Sequence, residues 1–320
     1  MQRIRDLTGL AVLLLSFVMP VRGIHAEEVS QEPAIQAPLA AKSLLIDAAR
    51  VGGKLLAVGE RGHIVFSTDG GKTWDQASVP TQMTLTAVDF VDESLGWAVG
   101  HDAVVVHTED GGKTWTLQHA APDWEQPLLD VLFLDADRGL ATGAYGLLMI
   151  TDDGGVTWQK TMVDETLDWH LNSIVRLPNG VLLIAGESGT LARSADRGET
   201  WEILESPYVG SFFGCEVLDG GKRVLAYGLR GNAYISEDMG DSWSKVENPL
   251  GSNLYGGDHL PGGGAVLVGA GGTILKLPAG STAFERVPYP AFNNLVTAVH
   301  ISGSEVAIFG SRGYLPYTIE

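Results

Sequence analysis

The octet STDGGKTW, from Ser67 to Trp74, recurs four more times along the chain. The later copies read TEDGGKTW, TDDGGVTW, SADRGETW and SEDMGDSW. The aspartates of the five copies are Asp69, Asp110, Asp153, Asp196 and Asp238, which lie 41, 43, 43 and 42 residues apart. A fixed period of this size is typical of stacked supersecondary units.

Each octet is an Asp-box, a tight turn between two strands. Its Asp can accept hydrogen bonds from backbone N–H groups of the same turn, and the Gly two residues later supplies a positive φ. The Trp then begins the next strand as a large apolar anchor. We therefore interpret the five aspartates as structural, in preference to a catalytic or metal-binding role.

A second marker, GxxG between two apolar strands, reveals two further units. It begins at Gly59, Gly143, Gly186, Gly228, Gly269 and Gly310, and in a seventh copy, from Gly100, Ala103 replaces the second Gly. With one strand before this hairpin and one after the Asp-box, each period holds four strands, and no useful helical periodicity follows Leu44. The sequence predicts an all-β fold, a seven-bladed β-propeller of four-stranded antiparallel blades, over residues 43–320.

The seventh unit stops at Glu320 after its third strand. An open sheet edge is a liability in solution, so the ring needs another strand there. Residues 27–42 are acidic, contain proline and lack a periodic pattern. We interpret them as an N-terminal linker, and we predict that part of Ala34 to Lys42 supplies the missing outer strand of the last blade.

The beginning of the chain is typical of a secretory signal peptide. Arg3 and Arg5 precede an apolar run from Leu10 to Val18, and the small residue Ala26 suits a cleavage site. The apolar run is too short to span a bilayer. We expect residues 1–26 to be removed on export to a bacterial periplasm; a retained anchor is the alternative.

The charge balance excludes some partners. The whole chain has a formal net charge of −18, and removal of residues 1–26 leaves 18 basic and 38 acidic residues, a net charge of −20. Nucleic acids and anionic membranes are bound mainly through Lys and Arg, so we expect neither a nucleic-acid partner nor direct membrane insertion. The one cysteine, Cys215, lies in an apolar run, which indicates a buried thiol and no disulfide framework.

Binding residues are expected on one face of the propeller. The GxxG turns and the loops from each fourth strand to the next first strand should emerge together, opposite the Asp-boxes. The third GxxG positions are Arg61, Asp102, Tyr145, Ser188, Arg230, Gly271 and Arg312, and aromatic residues of the loops include Trp124, Trp169, Tyr208, Tyr255 and Phe292.

Arg, Trp and Tyr dominate binding hot spots. We therefore predict a protein-binding site that comprises Arg61, Arg230, Arg312, Tyr145, Trp124, Trp169, Tyr208 and Tyr255. In the alternative interpretation, the aromatic residues wedge between blades and the arginines pair with local acids.

The innermost strands also carry acidic residues, which could line a central channel and attract a cation. These are Asp47, Asp89, Asp130, Glu216 and Asp258. Their spacing matches no ligand motif, and the histidines form no HExxH cluster. We expect no metal and no cofactor.

The runs AVGERGHIVFSTDGGKTW and AVGHDAVVVHTEDGGKTW resemble the Ycf48/HCF136 family of photosystem II assembly factors, and the resemblance extends from Leu44 to Glu320. The chain also looks like the related proteins of non-photosynthetic bacteria that carry the same domain. The resemblance implies a propeller that binds proteins without catalysis and holds an unassembled membrane subunit on an arginine-bearing face. Arg61, Arg230 and Arg312 match such a face. Other residue types at the four remaining third positions, together with the acidic net charge, depart from it.

Two functions follow as hypotheses. The first is an exported, non-enzymatic interaction or assembly-factor propeller whose partner is a protein of an envelope or membrane complex. The second is a sialidase-like glycoside hydrolase, or a propeller that binds a carbohydrate or carboxylate, because sialidases also carry Asp-boxes. Resemblance to those enzymes implies an Arg-Ile-Pro motif near the start, an arginine triad for a carboxylate, a Tyr nucleophile paired with Glu, and an Asp acid. No Arg-Ile-Pro occurs in the sequence, so we predict that the protein is not an enzyme.

Overall fold

The computed structural model describes residues 32–319. The predicted signal peptide and the first five residues of the predicted linker therefore lie outside the described residues. Among the residues it describes, no helix combines the length and the apolar character needed to cross a membrane.

Seven antiparallel sheets follow one another along the described chain. Their innermost strands are β1 (Leu45–Val51), β5 (Leu85–Phe90), β9 (Leu128–Phe133), β13 (Leu171–Arg176), β17 (Phe212–Leu218), β21 (Leu254–Leu260) and β25 (Leu295–Ser302). The second strands are β2 (Lys54–Gly59), β6 (Gly96–Gly100), β10 (Gly139–Gly143), β14 (Leu182–Gly186), β18 (Arg223–Gly228), β22 (Gly264–Gly269) and β26 (Glu305–Gly310).

The outer part of each sheet is shorter. The third strands are β3 (Ile64–Ser67), β7 (Val105–Thr108), β11 (Leu148–Thr151), β15 (Leu191–Ser194), β19 (Ala233–Ser236), β23 (Thr273–Leu277) and β27 (Gly313–Thr318). The fourth strands are β4 (Asp75–Gln76), β8 (Thr116–His119), β12 (Gln159–Thr161), β16 (Glu202–Ile203), β20 (Ser244–Lys245) and β24 (Glu285–Arg286). The predicted seven-bladed propeller is confirmed, and we number the blades 1 to 7 in chain order.

Short 3-10 helices connect some of these strands. They span Ala40–Lys42, Glu60–Gly62, His101–Ala103, Pro122–Trp124, Glu187–Gly189, Asp219–Gly221, Leu229–Gly231 and Ala270–Gly272. Five of the eight, in blades 1, 2, 4, 5 and 6, are the GxxG turns or their equivalent.

The Asp-boxes have the structural role that their sequence predicts. One carboxylate oxygen of Asp110 accepts the N–H groups of Lys113 and Thr114, both at 2.9 Å, and the other accepts the Thr114 hydroxyl at 2.6 Å. Gly112 has a φ of 88°, and a Cβ at this position would lie 2.3 Å from Leu56 of the neighbouring blade. The box therefore requires glycine both for its backbone conformation and for the close approach of two blades.

The hydrophobic core lies between the blades. Seven apolar clusters occur in the described residues, one at each junction of neighbouring blades. Each sheet therefore buries both of its faces against other sheets, and no blade has a core of its own.

The junction between blades 7 and 1 closes the ring. Leu45 and Phe309 are fully buried there. Trp74 lies directly before β4 of blade 1. The centroid of its indole ring lies 5.9 Å from that of the Phe309 ring and 4.9 Å from that of the Tyr314 ring. Side-chain packing therefore joins the first blade to the last.

The prediction that Ala34 to Lys42 supplies an outer strand is wrong. Blade 7 has three strands, and this segment forms only the 3-10 helix Ala40–Lys42. It runs instead along blade 1, where the Ala34 N–H donates to the carbonyl of Val79 at 2.9 Å and the Ala37 N–H donates to the side chain of Gln76 at 2.8 Å. Pairing through a side chain cannot continue as a regular ladder.

The edge strand β27 contains Pro316, opposite Ala307 of β26. Proline has no N–H to offer a further strand, and within sheets it is found on edge strands. The carbonyl of Ala41 approaches the start of β27, because a Cβ on Gly313 would lie 2.0 Å from that oxygen. The N-terminal segment therefore contacts both ends of the ring without extending a sheet.

A chain that begins at Ser43 should be less stable than one that begins at Glu32. The shorter chain loses the buried side chains of Ala34 and Ala40 and at least four hydrogen bonds to blade 1, including the one from Gln36 to Ala77. At about 1 kcal/mol for each hydrogen bond, we expect the Tm to fall by about 5 °C or more. Differential scanning calorimetry measures the difference, and equal Tm values would contradict this account of the segment.

Candidate functional site

Hydrogen bonds divide the loops of the propeller into two faces. The GxxG turns bond to the loops that connect successive blades: the Gly146 N–H donates to the carbonyl of Trp169 at 2.9 Å, and the Gly189 N–H to that of Gly210 at 2.8 Å. The Asp-boxes bond instead to the hairpins between first and second strands, as the N–H of Gly154 donates to Asp137 at 2.8 Å. We call these surfaces the turn face and the Asp-box face; the predicted separation is confirmed.

Most third positions of the GxxG turns have a left-handed backbone. The φ values are 58° at Arg61, 59° at Asp102, 55° at Tyr145, 55° at Ser188, 56° at Arg230 and 63° at Gly271. Arg312 differs, because it lies in a tight hairpin between the paired Gly310 and Gly313. For a residue other than glycine, the left-handed conformation costs roughly 1–2 kcal/mol. The turn thus retains side chains at positions where glycine would be more stable.

The three predicted arginines are exposed, and within residues 32–319 none of them has an ion pair. On the Asp-box face, four arginines pair with carboxylates, whereas Arg50 and Arg176 donate to backbone carbonyls. Arg138 contacts Asp152 and Glu199, both at 2.7 Å, while Arg193, Arg197 and Arg223 each pair with at least one carboxylate. The alternative in which the turn-face arginines pair with local acids is therefore not what the structure shows.

The predicted aromatic residues divide into two groups. Tyr145 and Trp169 are 55% and 51% exposed, and the ring of Tyr145 meets His170 edge-on at 4.9 Å. Tyr255 is half-buried beside Phe213 at 6.0 Å, on the wall of the central channel. These residues remain accessible from the turn face.

Trp124 and Tyr208 pack inward instead. Trp124 contacts the apolar cluster between blades 2 and 3, and its ring lies 4.6 Å from the ammonium group of Lys160. Tyr208 stacks on Tyr234 at 6.0 Å, and its hydroxyl donates to the carbonyl of Leu229 at 3.3 Å. For these two residues the wedge interpretation fits the structure better than a binding role.

The structure adds two exposed apolar residues to the turn face. Phe292, in the loop between blades 6 and 7, is 91% exposed, and Val209, between blades 4 and 5, is 88% exposed. The sequence contained a signal for Phe292, because its loop is rich in aromatic residues. Val209 follows a tyrosine and precedes a Gly-Ser-Phe-Phe run, so its sequence context resembles that of a core residue.

The innermost strands of all seven blades enclose a cavity of about 1440 Å³. Of the five predicted acids, Asp47, Asp89, Asp130 and Glu216 line this cavity, whereas Asp258 does not. Several of these carboxylates accept an N–H from the next blade: Asp47 from Val88 at 2.9 Å, Asp89 from Phe133 at 2.6 Å, Asp130 from Ile174 at 2.8 Å and Asp258 from His300 at 2.7 Å. The acidic residues that the sequence places in the channel therefore also form hydrogen bonds between neighbouring blades.

Burial in the channel wall changes the protonation of these groups. It raises the pKa of Asp47 to about 6 and that of Asp130 to about 7, although backbone N–H donors oppose the rise. Burial, together with nearby Asp258, raises the pKa of Glu216 well above its usual value. Cys215 is 5% exposed, and burial likewise raises the pKa of its thiol, as expected for an unreactive structural cysteine.

These features define a rigid propeller whose turn face exposes three arginines that form no ion pairs with other described residues, beside exposed apolar side chains. A family model described as photosynthesis system II assembly factor YCF48 matches residues 27–123 and 117–253. The chain belongs to this family of Ycf48-like propellers. No curated protein matches the chain significantly in sequence.

Solved structures show the same fold at low sequence identity. A structure described as YCF48 bound to D1 peptide is 19% identical, with a TM-score of 0.69, and the match covers 91% of this chain and 95% of the other. YCF48 from Cyanidioschyzon merolae is 17% identical, with a TM-score of 0.71 and coverages of 89% and 97%. The WD40 β-propeller domain of Doa1 is 13% identical, with a TM-score of 0.67 and coverages of 89% and 95%.

Asp130→Asn should weaken the dependence of stability on pH. The folded-state pKa of Asp130 is about 7, above the ordinary value of 3.8, so its contribution is complete below pH 4 and is lost as the pH rises toward 7. Asn cannot ionise, and we expect the fall in Tm between pH 5 and pH 8 to shrink by several degrees. Glu109→Gln removes the same charge at an exposed site and is the control. A wild-type pH dependence in Asp130→Asn would contradict this assignment.

Proposed function

We propose that this protein is an exported, non-enzymatic propeller that holds a protein partner of an envelope or membrane complex on its turn face. The observation that carries the proposal is that three exposed arginines of the turn face have no acidic partner among the described residues. Arg61, Arg230 and Arg312 have no acidic partner within 4.0 Å in the described chain, whereas Arg138 on the Asp-box face has two. Unpaired arginines beside exposed apolar residues are characteristic of binding hot spots.

The chemistry of the turn face suits a partner that offers both carboxylates and apolar side chains. A guanidinium group binds a carboxylate through two parallel hydrogen bonds, which adds direction as well as attraction. Trp169, Val209 and Phe292 supply large apolar contacts around the same ring of loops. The negative net charge of the chain opposes the approach of an acidic segment, so the attraction must come from these local cations.

Family membership supports a role in the assembly of other proteins. The similar structure with a bound D1 peptide shows that a related propeller binds a polypeptide. For this chain we propose a different subunit as the partner and a bacterial periplasm as the location. The proposed periplasmic location rests on the basic and apolar pattern of residues 3–18 and on Ala26.

A sialidase-like activity has weaker support. The channel does contain a Tyr–Glu pair, in which the Tyr227 hydroxyl lies 3.4 Å from Glu216. However, Tyr227 is 2% exposed and burial raises its pKa, the opposite of what a nucleophile requires. Among the described residues that line the cavity, none is Arg61, Arg230 or Arg312, so the structure does not assemble an arginine triad around this pair.

Replacing Arg61, Arg230 and Arg312 together by Ala should reduce recovery of the partner. Tagged mature protein is incubated with envelope extract of the native host, and bound proteins are quantified by mass spectrometry. We expect recovery of the wild-type partner to fall at least about tenfold, because each arginine at a hot spot contributes more than about 1 kcal/mol.

The control is a triple variant with Lys72, Lys113 and Lys222 replaced by Ala. These lysines are exposed on the Asp-box face and have no ion pairs among the described residues, so the variant makes the same change in charge. It should recover the partner as the wild type does. Equal losses in both variants, or none in either, would contradict recognition by the turn face.

A further inference from the structure

Three potential metal ligands meet at the junction of blades 5 and 6. They are Glu216 from β17 and the consecutive Asp258 and His259 from β21, and one ligand atom of each lies within 4.8 Å of the others. Glu216 and His259 both line the central cavity. Sequence spacing does not reveal this group, because 42 residues separate Glu216 from Asp258.

Other contacts orient the two carboxylates, and the contact between Asp258 and His259 is the one that a bound ion would replace. One oxygen of Asp258 accepts the N–H of His300 at 2.7 Å, and the other lies 2.9 Å from Nδ1 of His259. One oxygen of Glu216 faces the hydroxyl of Tyr227 at 3.4 Å. Outer partners of this kind commonly hold the ligands of a metal in position.

The surroundings favour a cation. The carboxylates of Asp47, Asp89 and Asp130 line the same cavity. Arg176 also lines it, and its guanidinium group donates a hydrogen bond to the carbonyl of Leu134 at 2.9 Å. Above pH 7, where Asp47 and Asp130 are ionised, a cavity lined by their negative charges concentrates counter-ions. The His259 side chain is 68% exposed, so it can move toward a bound ion.

This junction also lacks a contact that other junctions have. Aspartates of β1, β5, β9 and β21 each accept an N–H from the next innermost strand. Asn172 of β13 donates to the carbonyl of Phe212 of β17 at 2.7 Å. Between β17 and β21 of the described chain there is no side-chain hydrogen bond, and Glu216 reaches toward blade 6 without a backbone donor.

We infer that Glu216, Asp258 and His259 bind one divalent transition-metal ion, with Zn²⁺ as the type, and that the ion bridges blades 5 and 6 at the wall of the channel. One imidazole nitrogen and two carboxylate oxygens suit Zn²⁺, and the cavity leaves a position for water. Tetrahedral ligands around Zn²⁺ lie about 3.4 Å apart, so ligand atoms separated by as much as 4.8 Å must approach one another by about 1.4 Å. This site is independent of the partner-binding turn face.

The test is isothermal titration of the chelator-treated mature chain with ZnCl₂, followed by thermal unfolding with and without the ion. We expect one saturable site and a Tm that rises by several degrees at saturating Zn²⁺. His259→Gln should weaken the affinity at least tenfold without unfolding the protein, because the side chain is exposed. Glu216→Gln should weaken it similarly and remove the gain in Tm.

His101→Gln, which removes an imidazole from the turn face, should bind Zn²⁺ as the wild type does. CaCl₂ and MgCl₂ should bind more weakly than ZnCl₂, because these ions do not favour imidazole. The inference is overturned if Zn²⁺ does not bind, if His259→Gln and Glu216→Gln bind it as well as the wild type, or if only Ca²⁺ binds.

Discussion

Burial of apolar surface between neighbouring sheets is the constraint on which the whole structure depends. Each blade is too thin to enclose a core, so its two faces become buried only when sheets stand on both sides. The seven apolar clusters are therefore links of one ring, and the link between blades 7 and 1 is as necessary as the others. Trp74, Phe309 and Tyr314 form this link through packing of their rings. Closure by side chains removes the need for a strand shared between the two ends of the ring.

The ring leaves two faces with different chemistry. On the Asp-box face, carboxylates accept the N–H groups of their own turns, and arginines cross between blades to reach acids, as Arg138 does with Glu199. These contacts lie within the protein and support the fold. On the turn face, arginine and tyrosine occupy left-handed positions in which glycine would be more stable. At Arg61 and Arg230, this local cost falls on exposed side chains without an ion pair among the described residues, as expected for residues selected for binding.

The repeat explains why so much of the fold could be predicted from the sequence. Each turn is determined by residues that are close together in the sequence. An Asp two residues before a Gly identifies each Asp-box, and the GxxG motif identifies the residue at the exposed third position of its turn. The N-terminal segment was mispredicted because its contacts are not local. The side chain of Gln76 accepts a hydrogen bond from this segment, and Pro38 has no N–H to donate to a neighbouring strand. The segment therefore follows blade 1 without becoming a strand.

The candidate sites were less predictable than the fold, because they too depend on contacts between residues that are far apart in the sequence. An aromatic residue in a loop has the same sequence signature whether it faces solvent, as Trp169 does, or packs between blades, as Tyr208 does. Only the path of the loop decides between them. The approach of Glu216 to His259 likewise depends on the angle between two blades, which the repeat period does not specify.

The central claim is that recognition occurs on the turn face, and site-specific photo-crosslinking in the native host tests it most directly. Phe292 on the turn face and Val156 on the Asp-box face are both strongly exposed apolar residues, at 91% and 74%. A photoreactive amino acid is placed at one position or the other, and adducts are identified after irradiation. The account predicts a protein adduct from position 292 and none from position 156. An adduct from position 156 alone would contradict it.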